Sequence, residues 1–495
     1  MTGPVHVSQS ATGETHWPLR AAFDKQRRAF DLRHPPTYAE RRDALEALLA
    51  AILQHETLLV QALEEDYGRR APQETQLLEI FPIVNEVRFV LQRLRRWMRP
   101  ERVPVQWQFW PGRAYILRRP LGVVGILGAW NYPLHLTLVP LVDALAAGNH
   151  AMIKPSELAP HAAETLRQLL AKVFSPEHVQ VVLGGPDVAA QFASLPFDHL
   201  LFTGSGRIGK LVMRAAAENL TPVTLELGGK SPALVQEDFP IDEAADRICS
   251  AKFWNAGQTC VAPDYVFVPQ ARYKQFVEAA RAVVEHRWPH PGSNPDYTHI
   301  IDCEHWKRLA ALVEDARVKG ARIHVVGADI GSCAAKERFF PPVLLTHVQD
   351  TMQAMQEEIF GPILPIVPYE SLDSALEYIR GRDRPLALYY FDRDRARIRH
   401  VLERTIAGGV TINGCIFHLS EDHLPFGGVG ASGMGSYHGL HGLDTFSKRT
   451  GTLAMDRTVG AVLGRLLGPP YGKWTDRAIR FLIGRSPGRG PDRLL

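Results

Sequence analysis

The chain has 495 residues, 45% hydrophobic and 22% charged, with 56 basic against 53 acidic residues and a formal net charge of +3. That balance supplies no basic footprint for nucleic acid, and no run approaches the ~20 apolar residues that cross a bilayer. Five cysteines, at positions 249, 260, 303, 333 and 415 and in no C-x-x-C spacing, argue against structural zinc and disulfide staples, so reduced thiols and a cytoplasmic setting are expected.

Taken in chain order, residues 1–18 lack the charged and apolar regions of a secretory signal and read as a disordered leader. From Leu19 to Arg99 apolar residues recur at helical spacing, as in RRDALEALLAAILQHETLLVQALEEDYG, and predict two or more long amphipathic helices. The stretch VPVQWQFWPGRAYILRRP alternates apolar and polar residues on both sides of a Pro-Gly turn and predicts a β-hairpin. Its aromatic residues Trp107, Phe109, Trp110 and Tyr115 suit either a core or a subunit contact.

Between Leu121 and about Leu234 short apolar runs (LGVVGILGAW, HAMIKP, VQVVLGG, HLLFTGS, PVTLELGG) alternate with helical segments, which predicts a parallel α/β sheet with ligands at the carboxyl ends of its strands. A second α/β block runs from about Gly229 to Gly430. Residues 456–495 are basic and patchily amphipathic: a frayed surface tail is the plain expectation, and weak peripheral membrane contact the sharper one.

Two stretches carry chemistry. FTGSGRIGK holds a G-x-G-x-x-G of Gly204, Gly206 and Gly209 between an apolar strand and a helix, the context of a dinucleotide site, although a strand-to-helix turn also uses glycines for structural reasons. FWNAGQTC ends at Cys260, a cysteine that is either core filler or a nucleophile. The simple dinucleotide fingerprint would give Glu226 to a ribose, but the glycines after it in LELGGKSP suit a close backbone approach at a reaction centre as well. His418, His423 and His438 show no metal-ligand spacing, so no metal is expected.

Read together, GAWNYP, IKPSE, FTGSGRIG, LELGGKSP, GQTC, EEIFGP and LPFGGVGASGMGSYHG, in this order, resemble the NAD(P)-dependent aldehyde dehydrogenase superfamily from about residue 20 to 455. GQTCVAPDY and the C-terminal glycine-rich stretch resemble its class 3 branch, and RAAAENLTPVTLELGGKSPA looks similar to the bacterial coniferyl aldehyde dehydrogenases. The resemblance implies an α/β fold with a Rossmann-like parallel-sheet cofactor domain (19–100 and 120–228), an oligomerisation hairpin (101–119), an α/β catalytic domain (229–433) and an oligomerisation segment (434–455) before the basic tail.

The resemblance also implies roles. Cys260 would attack an aldehyde carbonyl as thiolate; Glu226 would be the base that activates the thiol and later the hydrolytic water; Asn131 would donate to the oxyanion together with the Cys260 backbone N–H. Lys154 and Glu157 match residues on the adenosine ribose, Ser205 the pyrophosphate contact, and Glu358 and Phe360 the nicotinamide ribose contacts, with Trp130, Gly204 and Gly209 beside them. The family usually carries another residue where Gly206 stands, so the glycine pattern is partly coincidental. Glu157 favours NAD over NADP, because a carboxylate repels a 2′-phosphate. The expected reaction is oxidation of an aromatic or a medium-to-long aliphatic aldehyde to the acid by a homodimer; the alternatives are an acylating relative that delivers the thioester to coenzyme A and an inactive binding protein on the same fold.

Overall fold

The computed structural model describes residues 18–327 and 337–484; the expected leader, apart from Pro18, and Cys333 lie outside the described residues. The helices expected in the first hundred residues form as Pro18–Asp31, Tyr38–Gln54, Glu56–Tyr67 and Phe81–Trp97. Thr37 starts the second of these: its backbone N–H donates to Glu40 Oε2 (2.7 Å) and its hydroxyl accepts the Glu40 N–H (3.3 Å), which satisfies two otherwise unpaired backbone donors.

The first α/β block folds into a sheet ordered Gly433–Met434, Val223–Glu226, His199–Thr203, Val123–Leu127, His150–Lys154, Val179–Val181. Its pairs are parallel except the edge pair of Gly433–Met434 with Val223–Glu226. Strands 123–127, 150–154 and 199–203 are buried at every position, as their continuous apolar runs require when helices cover both faces. The second block gives a sheet ordered Arg322–Val325, Val343–Thr346, Ile363–Tyr369, Tyr265–Pro269, Pro232–Val235, Ala387–Phe391, Gly409–Ile412, parallel except for its first pair. Both sheets belong to one compact unit that takes in residues up to Leu94 and Pro120–Ser447. The fold class expected from the sequence therefore holds.

A second unit comprises Arg95–Arg119 and the described residues from Lys448 onward. Its sheet is three-stranded, with Glu101–Val103, Arg113–Pro120 and Ser447–Ala454 side by side. This corrects the hairpin in two ways. The first strand is only three residues long, because Pro104 lacks the N–H a ladder needs, and Trp107–Phe109 form a 3-10 turn instead of a strand. Strand 113–120 gains a second neighbour, 447–454, while Trp107 and Trp110 remain exposed. The frayed tail is corrected too. Residues Arg457–Leu467 and Lys473–Leu482 are helices, the first capped by Asp456, whose carboxylate accepts the Thr458 N–H at 2.9 Å.

Candidate functional site

A cleft of about 900 Å³ opens at the carboxyl ends of strands 123–127, 150–154, 199–203 and 223–226. Each predicted site residue except Gly209 lines it: Trp130, Asn131, Lys154, Glu157, Gly204, Ser205, Glu226, Cys260, Glu358 and Phe360. Gly209 lies on the helix Gly206–Ala217 at the cleft wall, and a Cβ there would come within 2.8 Å of the Leu227 side chain. A Cβ on Gly204 would meet the Phe202 ring at 2.5 Å, whereas one on Gly206 would meet nothing within 4 Å. Two glycines of the three are thus demanded by packing and the middle one is not. Ser205 caps this helix, its hydroxyl accepting the Ile208 N–H at 3.4 Å.

Cys260 follows a backbone stretch held in the left-handed region. Asn255 (φ 52°), Ala256 (φ 50°) and Gly257 (φ 72°) turn the chain out of the helix Ile241–Phe253, a conformation that costs non-glycine residues about 1–3 kcal/mol each and so needs fixed partners. Those partners are present. The Asn255 N–H donates to Glu74 Oε1 (2.6 Å), and its Nδ2 donates to the carbonyls of Asn131 (3.0 Å) and Gln258 (3.2 Å). Gln258, fully buried, donates to Asn255 O (2.9 Å) and His299 O (3.0 Å) and accepts the Ile301 N–H (3.0 Å). Asn131, on the turn after strand 123–127, points its Nδ2 at Gln258 O (3.2 Å).

Glu226 ends its strand, paired with Thr203 on one side and Gly433 on the other, and is 2% exposed. No side-chain donor reaches its carboxylate, and burial pushes the carboxyl well above its ordinary range against the weaker pull of the Gly428 N–H. Burial likewise pushes the Cys260 thiol up to about 12, with the negative charges of Glu358 and Glu226 adding to it and the backbone N–H groups of Cys260 and Val261 opposing. Glu358 is raised to about 8, first by burial and then by Asp264. The thiol is therefore protonated at rest, and a base or an incoming positive charge must help to ionise it.

Several residues that the sequence reading passed over set this geometry. Lys230 donates to Asp264 and to Ala354 O (2.7 Å), while Asp264 accepts the Ile359 N–H (3.0 Å). Arg308 donates to Glu358 O (3.2 Å) and to Ile359 O. These bonds fix the EEIFGP loop, in which Phe360 takes φ 49° and meets the Trp130 ring edge-on at 5.4 Å. His305 packs on the other part of Trp130 (4.9 Å) and lines the cleft with Arg308. No local motif marks His305 or Arg308; only the fold brings the helix Cys303–Val318 to the cleft.

The cleft suits a dinucleotide. Lys154 and Glu157 are ion-paired at 2.6 Å at the carboxyl end of strand 150–154, offering both a donor and an acceptor to sugar hydroxyls. Glu358 Oε1 is buried without a hydrogen-bond partner, and a Cβ on Gly228 would stand 1.9 Å from Glu358 Oε2, so only glycine leaves that carboxylate its place. Of the other cysteines, Cys249 and Cys415 are buried. Among the described residues no cluster of His, Cys, Asp or Glu is arranged for a metal, and no helix is long and apolar enough to cross a membrane.

Fold and cleft together define an α/β enzyme with a large cleft at its strand ends, lined by the Cys260 thiol and two carboxyls, Glu226 and Glu358. The sequence model described as "Aldehyde dehydrogenase family" matches residues 6–450. A probable coniferyl aldehyde dehydrogenase of Pseudomonas aeruginosa is 47% identical over 467 residues, covering 94% of this chain and 96% of that protein. The substrate-bound Staphylococcus aureus AldH superposes with a TM-score of 0.87 at 36% identity, covering 94% of this chain and 99% of that one. The Mycobacterium tuberculosis aldehyde dehydrogenase complexed with NAD+ superposes with a TM-score of 0.79 at 28% identity, covering 87% and 89%. The chain belongs to the aldehyde dehydrogenase family and is an oxidoreductase that acts on aldehydes.

Proposed function

We propose that this chain oxidises an aldehyde of the coniferyl, aromatic type to its carboxylic acid with NAD as the preferred cofactor. The observation that carries the reading is a single cleft lined by Cys260, Glu226 and Asn131 together with Lys154 and Glu157. The P. aeruginosa relative supplies the substrate class and the NAD+ complex of the M. tuberculosis relative the cofactor. Aliphatic aldehydes of medium or long chain are the competing substrates.

In this reading the Cys260 sulfur adds to the carbonyl carbon while Glu226 takes the thiol proton, directly or through a water. The new oxyanion accepts from Asn131 Nδ2 and the Cys260 N–H, donors that cost no reorganisation because the Gln258 and Asn255 bonds already hold them. NAD would supply the hydride acceptor for the Cys260 adduct. Glu226 then removes a proton from the water that attacks the Cys260 thioester, and the acid leaves with the thiol restored. Lys154 and Glu157 would hold the adenosine ribose, Ser205 the pyrophosphate and Glu358 the nicotinamide ribose, with Phe360 and Trp130 beside it.

The enzyme works as a homodimer in the cytoplasm, joined through its 101–119 hairpin and the segment after residue 434; light scattering that gives a monomer mass at micromolar concentration would contradict the dimer. Initial rates of NADH formation across a panel of cinnamyl-type, benzyl and straight-chain aldehydes test the substrate class. The highest kcat/KM is expected on the cinnamyl-type aldehyde, and a clear preference for long alkanals would overturn that choice.

A further inference from the structure

Behind the turn that carries Asn131 lies a fully buried ion pair that the chemistry above leaves unused. Arg70 Nη1 stands 2.9 Å from Glu79 Oε1, and both side chains have no solvent exposure. The guanidinium lies over two tyrosine rings, 4.9 Å from the centroid of Tyr67 and 5.3 Å from that of Tyr132, and no acceptor reaches its Nε or Nη2. Each tyrosine hydroxyl reaches a different half of the thiol site. Tyr67 donates to Asn131 O (2.9 Å), and the Tyr132 hydroxyl meets Thr259 Oγ1 (2.6 Å), the residue before Cys260. Glu79 completes the frame, because its Oε2 accepts the N–H groups of Leu134 (2.8 Å) and His135 (3.2 Å) at the start of the helix His135–Ala147.

We propose that Arg70 is a positioning residue for the oxyanion site: it fixes the two tyrosines, which in turn hold the Asn131 amide and the Cys260 N–H at the spacing one oxygen atom requires. Removing one partner of a buried ion pair is costly, yet apolar residues in place of both are often neutral or stabilising, so this pair is weak evidence of a stability role and its placement on these two rings is the observation to account for. A planar cation matches two ring faces at once, which an ammonium on a flexible stem does not. The proposal rests on the assignment of Asn131 and the Cys260 N–H as oxyanion donors.

The test is a double-mutant cycle. Tyr67→Phe, Tyr132→Phe and Arg70→Lys are made singly, and Tyr67→Phe and Arg70→Lys also in an Asn131→Ala background, with kcat and the KM for NAD measured for each. Tyr67→Phe and Arg70→Lys should each lower kcat roughly tenfold or more, the scale of one misplaced buried hydrogen bond, with the KM for NAD unchanged. In the Asn131→Ala background Tyr67→Phe should lose most of its effect, since the amide it positions is gone, and Arg70→Lys should keep only the part that acts through Tyr132 on the Cys260 side. Tyr132→Phe, acting on the Cys260 side, should also lower kcat. If the Tyr67 and Arg70 effects multiply undiminished onto Asn131→Ala, the two residues serve stability only and the proposal fails. Should Arg70→Lys not fold, the isosteric Tyr67→Phe cycle decides alone. Full activity in Asn131→Ala itself would instead overturn the oxyanion assignment, and the positioning proposal with it.

Discussion

Asn131 Nδ2 donates to the carbonyl of Gln258 at 3.2 Å, two residues before Cys260, so the Asn131 amide and the loop that carries Cys260 are tied by a direct hydrogen bond. Truncating Asn131 to Ala removes both this tie and the donor. The expected loss is about 10²–10³-fold in kcat, the range for one oxyanion donor, with the KM for NAD little changed. A loss confined to KM would contradict the role.

Glu226 is buried with no side-chain donor on its carboxylate, as suits a base that must keep a high proton affinity. Glu226→Gln should therefore slow hydrolysis more than addition, and mass spectrometry after aldehyde and NAD should find Cys260 acylated. Unchanged steady-state turnover in that variant would reject Glu226 as the base.

Both Glu358 and Glu226 raise the Cys260 thiol electrostatically, Glu358 the more strongly. Removing the Glu358 charge favours thiolate, so Glu358→Gln should move the pH midpoint of Cys260 alkylation by iodoacetamide downward from the unmodified protein's. An unmoved midpoint would show that the Glu358 charge does not act on the thiol.

Much of this site was legible because its chemistry sits in short contiguous motifs at strand ends. LELGG, FTGSG and IKPSE each finish a strand of the six-stranded sheet, and runs such as HAMIK and HLLFT are apolar throughout because helices bury both faces. What stayed hidden depends on distant partners. Arg70 and Glu79 read as ordinary charges of an amphipathic helical region, and only the fold buries them behind Asn131. The alternation of VPVQWQF does not show the cost of Pro104 to a ladder, and the patchy amphipathic pattern after residue 456 does not show the helices Arg457–Leu467 and Lys473–Leu482.

Cofactor choice follows from Glu157, whose Oε2 is 2.6 Å from Lys154 Nζ. A 2′-phosphate there meets a carboxylate already engaged by the lysine, while a 2′-hydroxyl can donate to it. Catalytic efficiency should be higher with NAD than with NADP, and Glu157→Gln should narrow the gap chiefly by lowering the KM for NADP. Equal efficiency in the unmodified enzyme would count against this contact.

Stability should carry its own pH signature. Glu86 and Asp143 are buried carboxyls held well above their ordinary range, chiefly by burial and, for Glu86, by the neighbouring Asp143 and Asp422 charges. Because their folded pKa values are raised, the native state binds more protons than the unfolded chain, so their stabilisation is full at acid pH and is lost as pH rises through the folded values. Asp143→Asn removes one such group while keeping an acceptor for the His438 N–H, which Asp143 Oδ2 accepts at 3.2 Å. The fall of Tm between pH 5 and 8 should be shallower in that variant, and an identical slope would contradict the cluster's role.

The central claim, that Cys260 forms the covalent bond to substrate, is tested most directly by Cys260→Ala. NADH formation from any aldehyde should fall to background while NAD still binds with nearly unchanged affinity by calorimetry, because the thiol makes the adduct and does not hold the cofactor. Turnover of even a few per cent in that variant would contradict the account.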